Sequence, residues 1–264
     1  MLLDCDLAYL GMYDLPALRP AQDAWWKGLA EHFAAHGLSS VPTHLVRSGA
    51  DPYDIWQSPD LFFAQTCGYP LTHRLTGKVR LLGSPCYDAP GCEGPMYRSL
   101  IIVRDGSKAE TLAAALPARV AVNGMDSYSG WWALGATLMQ LGLDKSSFSG
   151  VTVSGGHMNS VDLVREGQAD LAAIDCVTFA LARDVEPERL AGLKVLHQSD
   201  PAPGLPYITR AGMPDLDAVA MSEALEDAFT DPDLTHARRA LRLDGFAHIP
   251  LAEYDRFMTK NLIA

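Results

Sequence analysis

An α/β fold of two lobes is what this 264-residue chain predicts, and three observations carry the prediction. Apolar strand-like runs alternate with amphipathic helical ones almost throughout, the pattern of largely parallel sheets covered by helices. Two Pro/Gly-rich joints, "SPCYDAPGCEGPMY" at 84–97 and "SDPAPGLPY" at 199–207, bracket a self-contained α/β run. The outer segments must then combine, because the N-terminal strands alone leave the C-terminal helices no surface to cover. The expected division is 1–95 with 203–264 as one lobe and 96–202 as the other. A chain that crosses twice in this way predicts two crossover strands and a ligand cleft between the lobes, and such clefts are favoured ligand sites.

The elements follow in order. Strands are expected at "CDLAYLG" (5–11), "VPTHLVR" (41–47), "DLFFAQT" (60–66), "KVRLLGS" (78–84) and "YRSLIIVR" (97–104). Between the first two, "AQDAWWKGLAEHFAAHG" places Trp25, Leu29 and Phe33 at helical spacing and supplies Gly37 as a stop. In the middle block "ARVAVNG" (118–124) leads into a helix at 130–142, "GVTVSG" (150–155) into one at 158–167, and "ADLAAID" (169–175) into one at 175–183. A last extended pair, "LKVLHQS" and "LPYITRA", precedes three terminal helical segments. Trp25, Trp26, Trp131 and Trp132 sit at helical positions and read as packing residues; His32, His36 and His236 read as solvated helix positions.

Composition excludes several classes. With 21 Lys and Arg against 32 Asp and Glu, the formal net charge is −11, and the summed field repels nucleic acid and anionic membrane surfaces. A small anion can still bind, through local donors. No apolar run reaches the length of a membrane span, and "MLLDCDLAYLGMYDLP" lacks the basic start and cleavage site of a signal peptide. The expected compartment is therefore the cytoplasm for the chain as written, or the periplasm if an export signal precedes it. The five cysteines carry no CxxC metal spacing, and no HExxH is present, so neither metal nor cofactor is expected. Cys86 and Cys92 flank a turn-rich loop and are candidates for pairing, with free thiols as the expectation.

The chemistry concentrates at strand ends, where α/β sheets gather ligands. "NGMDSYSGWWALG" places Ser127, Tyr128, Ser129 and Gly130 between a strand and a helix. A helix start offers unpaired N–H groups and the positive end of the dipole, so it holds an anion without a basic side chain. The plain alternative is an N-cap serine. A nucleophile elbow is disfavoured because GxSxG is not matched around Ser127 or Ser129. The next strand ends in "SGGHMNSVDLVREG" and repeats the construction with His157, which either donates to an anion or caps its helix. Asp175 ends the third strand, as a helix cap or as a ligand-facing acid. In the outer lobe Tyr13 in "GMYDLP", and Gln65, Thr66 and Tyr69 in "AQTCGYP", also stand at strand ends. Tyrosine there suits packing over the organic part of a small ligand.

Four segments together, "YRSLIIVR", "SYSG", "SGGHMNSVDLVREGQADLAAID" and "RRALRLDGFAHIPLAEYDRF", resemble the phosphate/phosphite/phosphonate-binding substrate-binding proteins of ABC transporters, which have the type II periplasmic-binding-protein fold. The resemblance implies a monomer that closes on a small oxyanion and delivers it to an ABC permease. It implies donors at Ser127, Tyr128, Ser129 and His157, with Tyr13, Gln65 and Asp175 as cleft residues. Two other readings stay open on the residues: a cytosolic enzyme on the same fold, similar to menaquinone-pathway enzymes acting on small carboxylates, and a ligand sensor.

Overall fold

The structure is a computed structural model that describes residues 7–260, with side chains to residue 255. Cys5 and the start of the predicted first strand lie outside the described residues. Along the chain come β1 (Leu7–Tyr9), α1 (Arg19–Ala35), α2 (Pro52–Trp56), β2 (Leu61–Gln65), α3 (Gly68–His73) and β3 (Val79–Tyr87). Then follow β4 (Met96–Tyr97), β5 (Ser99–Arg104), β6 (Ala118–Val122), α4 (Ala133–Gln140), β7 (Phe148–Val153), α5 (His157–Arg165), β8 (Leu171–Asp175), α6 (Cys176–Val185), α7 (Pro187–Leu190), β9 (Leu193–Gln198) and β10 (Ala202–Pro203). The chain ends with β11 (Tyr207–Arg210), α8 (Asp215–Thr230), α9 (Thr235–Ala240), β12 (Leu243–Ala247) and α10 (Leu251–Lys260). It divides into two compact units: the residues up to Asp88 with Gly204–Tyr254, and Ala89–Pro203 with the residues from Asp255 on.

The first unit is built on a five-stranded sheet of order β1-β2-β11-β3-β12. β2, "LFFAQ", is buried at every position, as a strand covered on both faces must be. On one face α1 lays Trp26 against Phe63 and Phe33 against Phe62, with ring centroids 5.7 and 5.5 Å apart. On the other, Tyr53, Trp56, Leu71 and Leu75 pack with Ile208, Ile249 and Tyr254. The Tyr254 hydroxyl donates to the Gly204 carbonyl at 2.9 Å, so a fully buried ring carries its polar tip to a buried acceptor.

The second unit has a five-stranded sheet of order β7-β6-β8-β5-β9. Its core joins Ile101 and Val103 of β5, Val120 and Val122 of β6 and Leu171 and Ala173 of β8 to Leu134 and Leu138 of α4. A two-stranded pair, β4 with β10, completes it.

Four expectations are corrected. The sheets are mixed: β11 runs antiparallel to β2 and β3, and β5 antiparallel to β8 and β9. These are the first long strands after each passage of the chain from one unit to the other, and that passage, rather than hydrophobic period, sets their direction. The segment 41–47 is not a strand. Pro42 brings no N–H, and among the described residues the segment meets the sheet through the Val46 amide, at the Ala8 carbonyl, 2.7 Å away. β12 stands where the periodicity predicts only helical segments; its glycine and exposed aspartate hide it, and pairing with the far end of β3 makes it a strand. His32 and His36 are not simply solvated, since their Nε2 atoms lie 2.8 and 2.9 Å from Asp231 and Asp227.

Candidate functional site

The carboxyl ends of β6 and β7 each run into a helix start, and one hydrogen bond ties the two starts together. After β6 the chain turns at Asn123 and Gly124, and Ser127 caps the next helix by accepting from the Gly130 amide at 3.1 Å. The first turn, Tyr128–Trp132, is wound wider than an α-helix: the Trp132 amide reaches back five residues to the Ser127 carbonyl at 3.3 Å before α4 takes over. Such π turns recur at functional sites. Gly130 is required where it stands, because a Cβ there would collide with Asn123 Oδ1.

After β7, Gly155 turns the chain at φ +80° and Gly156 precedes α5. His157 is the first residue of α5, and its Nε2 lies 2.8 Å from Ser129 Oγ. Asn123 Nδ2 stands 3.4 Å from the same nitrogen. Below them Ser154 Oγ contacts Ser160 Oγ at 2.7 Å and donates toward the Val122 carbonyl at 3.1 Å, which holds the end of β7 to the end of β6.

Electrostatics fixes the protonation. The residue His157 is half-buried, but its Nδ1 is wholly shielded from solvent. Burial pushes the imidazole pKa down to about 4, with the Ala173 carbonyl offsetting part of the effect. At neutral pH the ring is uncharged, so its contact with Ser129 Oγ is a hydrogen bond between neutral groups whose direction the tautomer sets. His157 brings no positive charge of its own; the positive potential at this spot comes from two helix starts and their first-turn N–H groups. Asn123 Oδ1 is also shielded and has no hydrogen-bond partner. A nucleophilic serine needs an oriented base, and no carboxylate among the described residues is bonded to His157 in the contacts above.

The other predicted residues fall as follows. Ser127, Tyr128, Ser129 and Gly130 are all buried, and the Tyr128 ring packs 6.5 Å from that of Tyr97. Asp175 is 1% exposed and Oδ1 accepts from the amides of Val177 and Thr178 at 2.7 and 3.0 Å, so it caps α6. In the first unit Gln65 is buried and its Nε2 donates to Tyr87 Oη at 3.1 Å and the Leu205 carbonyl at 3.0 Å. Thr66 is fully buried with Oγ1 unpartnered. Tyr13 packs edge-on to Tyr87, centroids 5.3 Å apart, and Tyr69 stacks on His73 at 3.9 Å. Sequence reasoning missed Asn123. Its signal was present: an amide side chain at a strand's carboxyl end, directly before the serine-rich helix start.

Among the described residues no group of three or more His, Cys, Asp or Glu side chains is placed to hold a metal ion. Among the described residues no helix is long and apolar enough to cross a membrane.

Two α/β units built on mixed sheets, and paired donor-rich helix starts in the second, define a solute-binding protein. The family model for the ABC transporter phosphonate periplasmic substrate-binding protein matches residues 57–254. The chain belongs to that family. Solved structures agree on the type II periplasmic-binding-protein fold. PhnD1 from Prochlorococcus marinus, in complex with methylphosphonate, is 12% identical with a TM-score of 0.78, over 97% of both chains. A binding protein component of an ABC phosphonate transporter from Pseudomonas aeruginosa is 16% identical with a TM-score of 0.75, over 97% of this chain and 87% of that one. XAC2383 from Xanthomonas citri, bound to ATP, is 16% identical with a TM-score of 0.70, over 97% and 96%. No curated protein matches the chain by sequence.

Proposed function

We propose that the chain captures a small tetrahedral oxyanion, phosphate-, phosphite- or phosphonate-like, for an ABC permease. Its ligand lies at the starts of the helix 128–140 and of α5, held by first-turn amides, the Ser127, Tyr128 and Ser129 hydroxyls and His157. The observation that carries this reading is the 2.8 Å contact of Ser129 Oγ with His157 Nε2, which brings two donor-rich helix starts onto one spot. Negative charge there meets the positive ends of both helices, which supports binding despite the formal net charge of −11. Tyr13, Gln65, Thr66 and Tyr69 of the first unit are proposed as further ligand contacts, and Asp175 holds the start of α6 in the second. Delivery to a permease implies work outside the cytoplasmic membrane, in the periplasm.

Isothermal titration against phosphate, phosphite, methylphosphonate and sulfate tests the proposal. Saturable heat from a phosphorus oxyanion, and much less from sulfate, supports it; no heat from any of the four overturns it. Ser129→Ala should weaken the preferred anion about 10- to 100-fold, the worth of one hydrogen bond to a charged group.

A further inference from the structure

Cys92, in the first joint, and Cys176, the first residue of α6, stand with their sulfur atoms 3.5 Å apart although 84 positions separate them in the chain. This replaces the expected pairing candidate, Cys86 with Cys92: Cys86 belongs to β3 in the first unit, and Cys92 faces a different sulfur. Both sides of the contact are held. The Cys176 amide donates to the Arg98 carbonyl at 3.0 Å, and the Arg98 amide points back at Cys176 Sγ at 3.5 Å. Cys92 lies on a turn whose amide donates to the Ala89 carbonyl at 2.9 Å, followed by a backbone bridge between Glu93 and Met96. Gly91, at φ +104°, lets that turn lie on the start of α6, since a Cβ there would stand 3.1 Å from Cys176 Cβ.

We propose that Cys92 and Cys176 form a disulfide, a modification site that staples the first joint to the α6 start next to the Asp175 cap. A disulfide needs its sulfurs at about 2.05 Å, so the thiols must close by roughly 1.5 Å, within reach of a side-chain rotation. The oxidant is a small disulfide or a disulfide-bearing oxidoreductase. Exposure orders the exchange: Cys92 is half-buried, whereas Cys176 is 1% exposed. The Cys92 thiolate attacks one sulfur of the oxidant, which expels a thiol and leaves a mixed disulfide on Cys92. The Cys176 thiolate then attacks Cys92 Sγ and expels the second thiol. Two protein thiols give up two protons and two electrons, and one oxidant disulfide becomes two thiols. The hydrogen bond with Cys92 and burial both push the Cys176 thiol up, which suits the resolving role rather than the attacking one.

The test is a peptide map of the purified full chain after equilibration with oxidised glutathione, unfolding and alkylation. One peptide pair joined through Cys92 and Cys176 is expected, with alkylatable thiols falling from the five of the sequence to three. The closed loop is long, so oxidation should raise the thermal midpoint by about 10 °C, and Cys92→Ser should lose that rise. Oxidised, folded protein in which Cys92 and Cys176 both remain alkylatable overturns the proposal. So does a map that joins Cys92 to Cys86.

Discussion

The buried imidazole of His157 sets a measurable dependence of stability on pH. Its pKa in the native chain is lowered to about 4 by burial, against about 6.5 when unfolded. The unfolded chain therefore takes up the proton first as pH falls. The stability contributed by the neutral ring is fully present above the unfolded value and is lost as pH drops from about 6.5 toward about 4. With these two values the loss between pH 7.5 and pH 5 is about 2 kcal/mol, and it reaches about 3 kcal/mol at pH 4. His157→Gln keeps an amide at the site and cannot titrate. Urea unfolding of wild type and variant at pH 7.5, 6.5 and 5 isolates the ring, because every other titration cancels in the difference. The wild-type advantage should shrink by about 2 kcal/mol at pH 5 relative to pH 7.5. A difference that stays flat would refute the burial argument, since it means the ring titrates in the native chain as it does unfolded.

Other outcomes follow from the same geometry. Gly130→Ala drives a methyl group into Asn123 Oδ1, so it should displace Asn123 from His157 and cost about 1–3 kcal/mol of stability by chemical denaturation. Asp175→Ala removes the acceptor for two buried amides at the α6 start, and a loss of about 1–2 kcal/mol is expected with the fold retained by circular dichroism. Tyr254→Phe leaves the Gly204 carbonyl without its 2.9 Å donor, at a cost of about 1–3 kcal/mol in the same assay. Gln65→Leu strips the Leu205 carbonyl of a donor; titration calorimetry of the folded variant should also show weaker anion binding.

Much of this was legible in the chain. β2, β5, β6 and β8 are short, largely apolar runs bounded by turn residues, and Ser127, Ser129 and His157 read as donors because they stand between such runs and helices. Strand direction was not legible, since β5 and β11 take theirs from the chain's passage between units. Nor was the failure of 41–47 to form a strand, where a strand-like run contains a proline and, among the described residues, meets the sheet at Val46. In the site, Asp175 was consistent with cap or ligand contact, and two short hydrogen bonds to Val177 and Thr178 establish the cap. Asn123 and the Cys92–Cys176 contact depend on side chains meeting across 34 and 84 positions, a distance over which spacing carries no information.

The central claim is a location: a small oxyanion at the starts of the helix 128–140 and of α5. Backbone amide resonances report it residue by residue in isotope-labelled protein titrated with methylphosphonate and phosphate. The account predicts saturable shifts concentrated at Ser129, Gly130, His157 and Met158, with one common affinity that Ser129→Ala weakens. Saturable shifts that leave those four amides unmoved would contradict it.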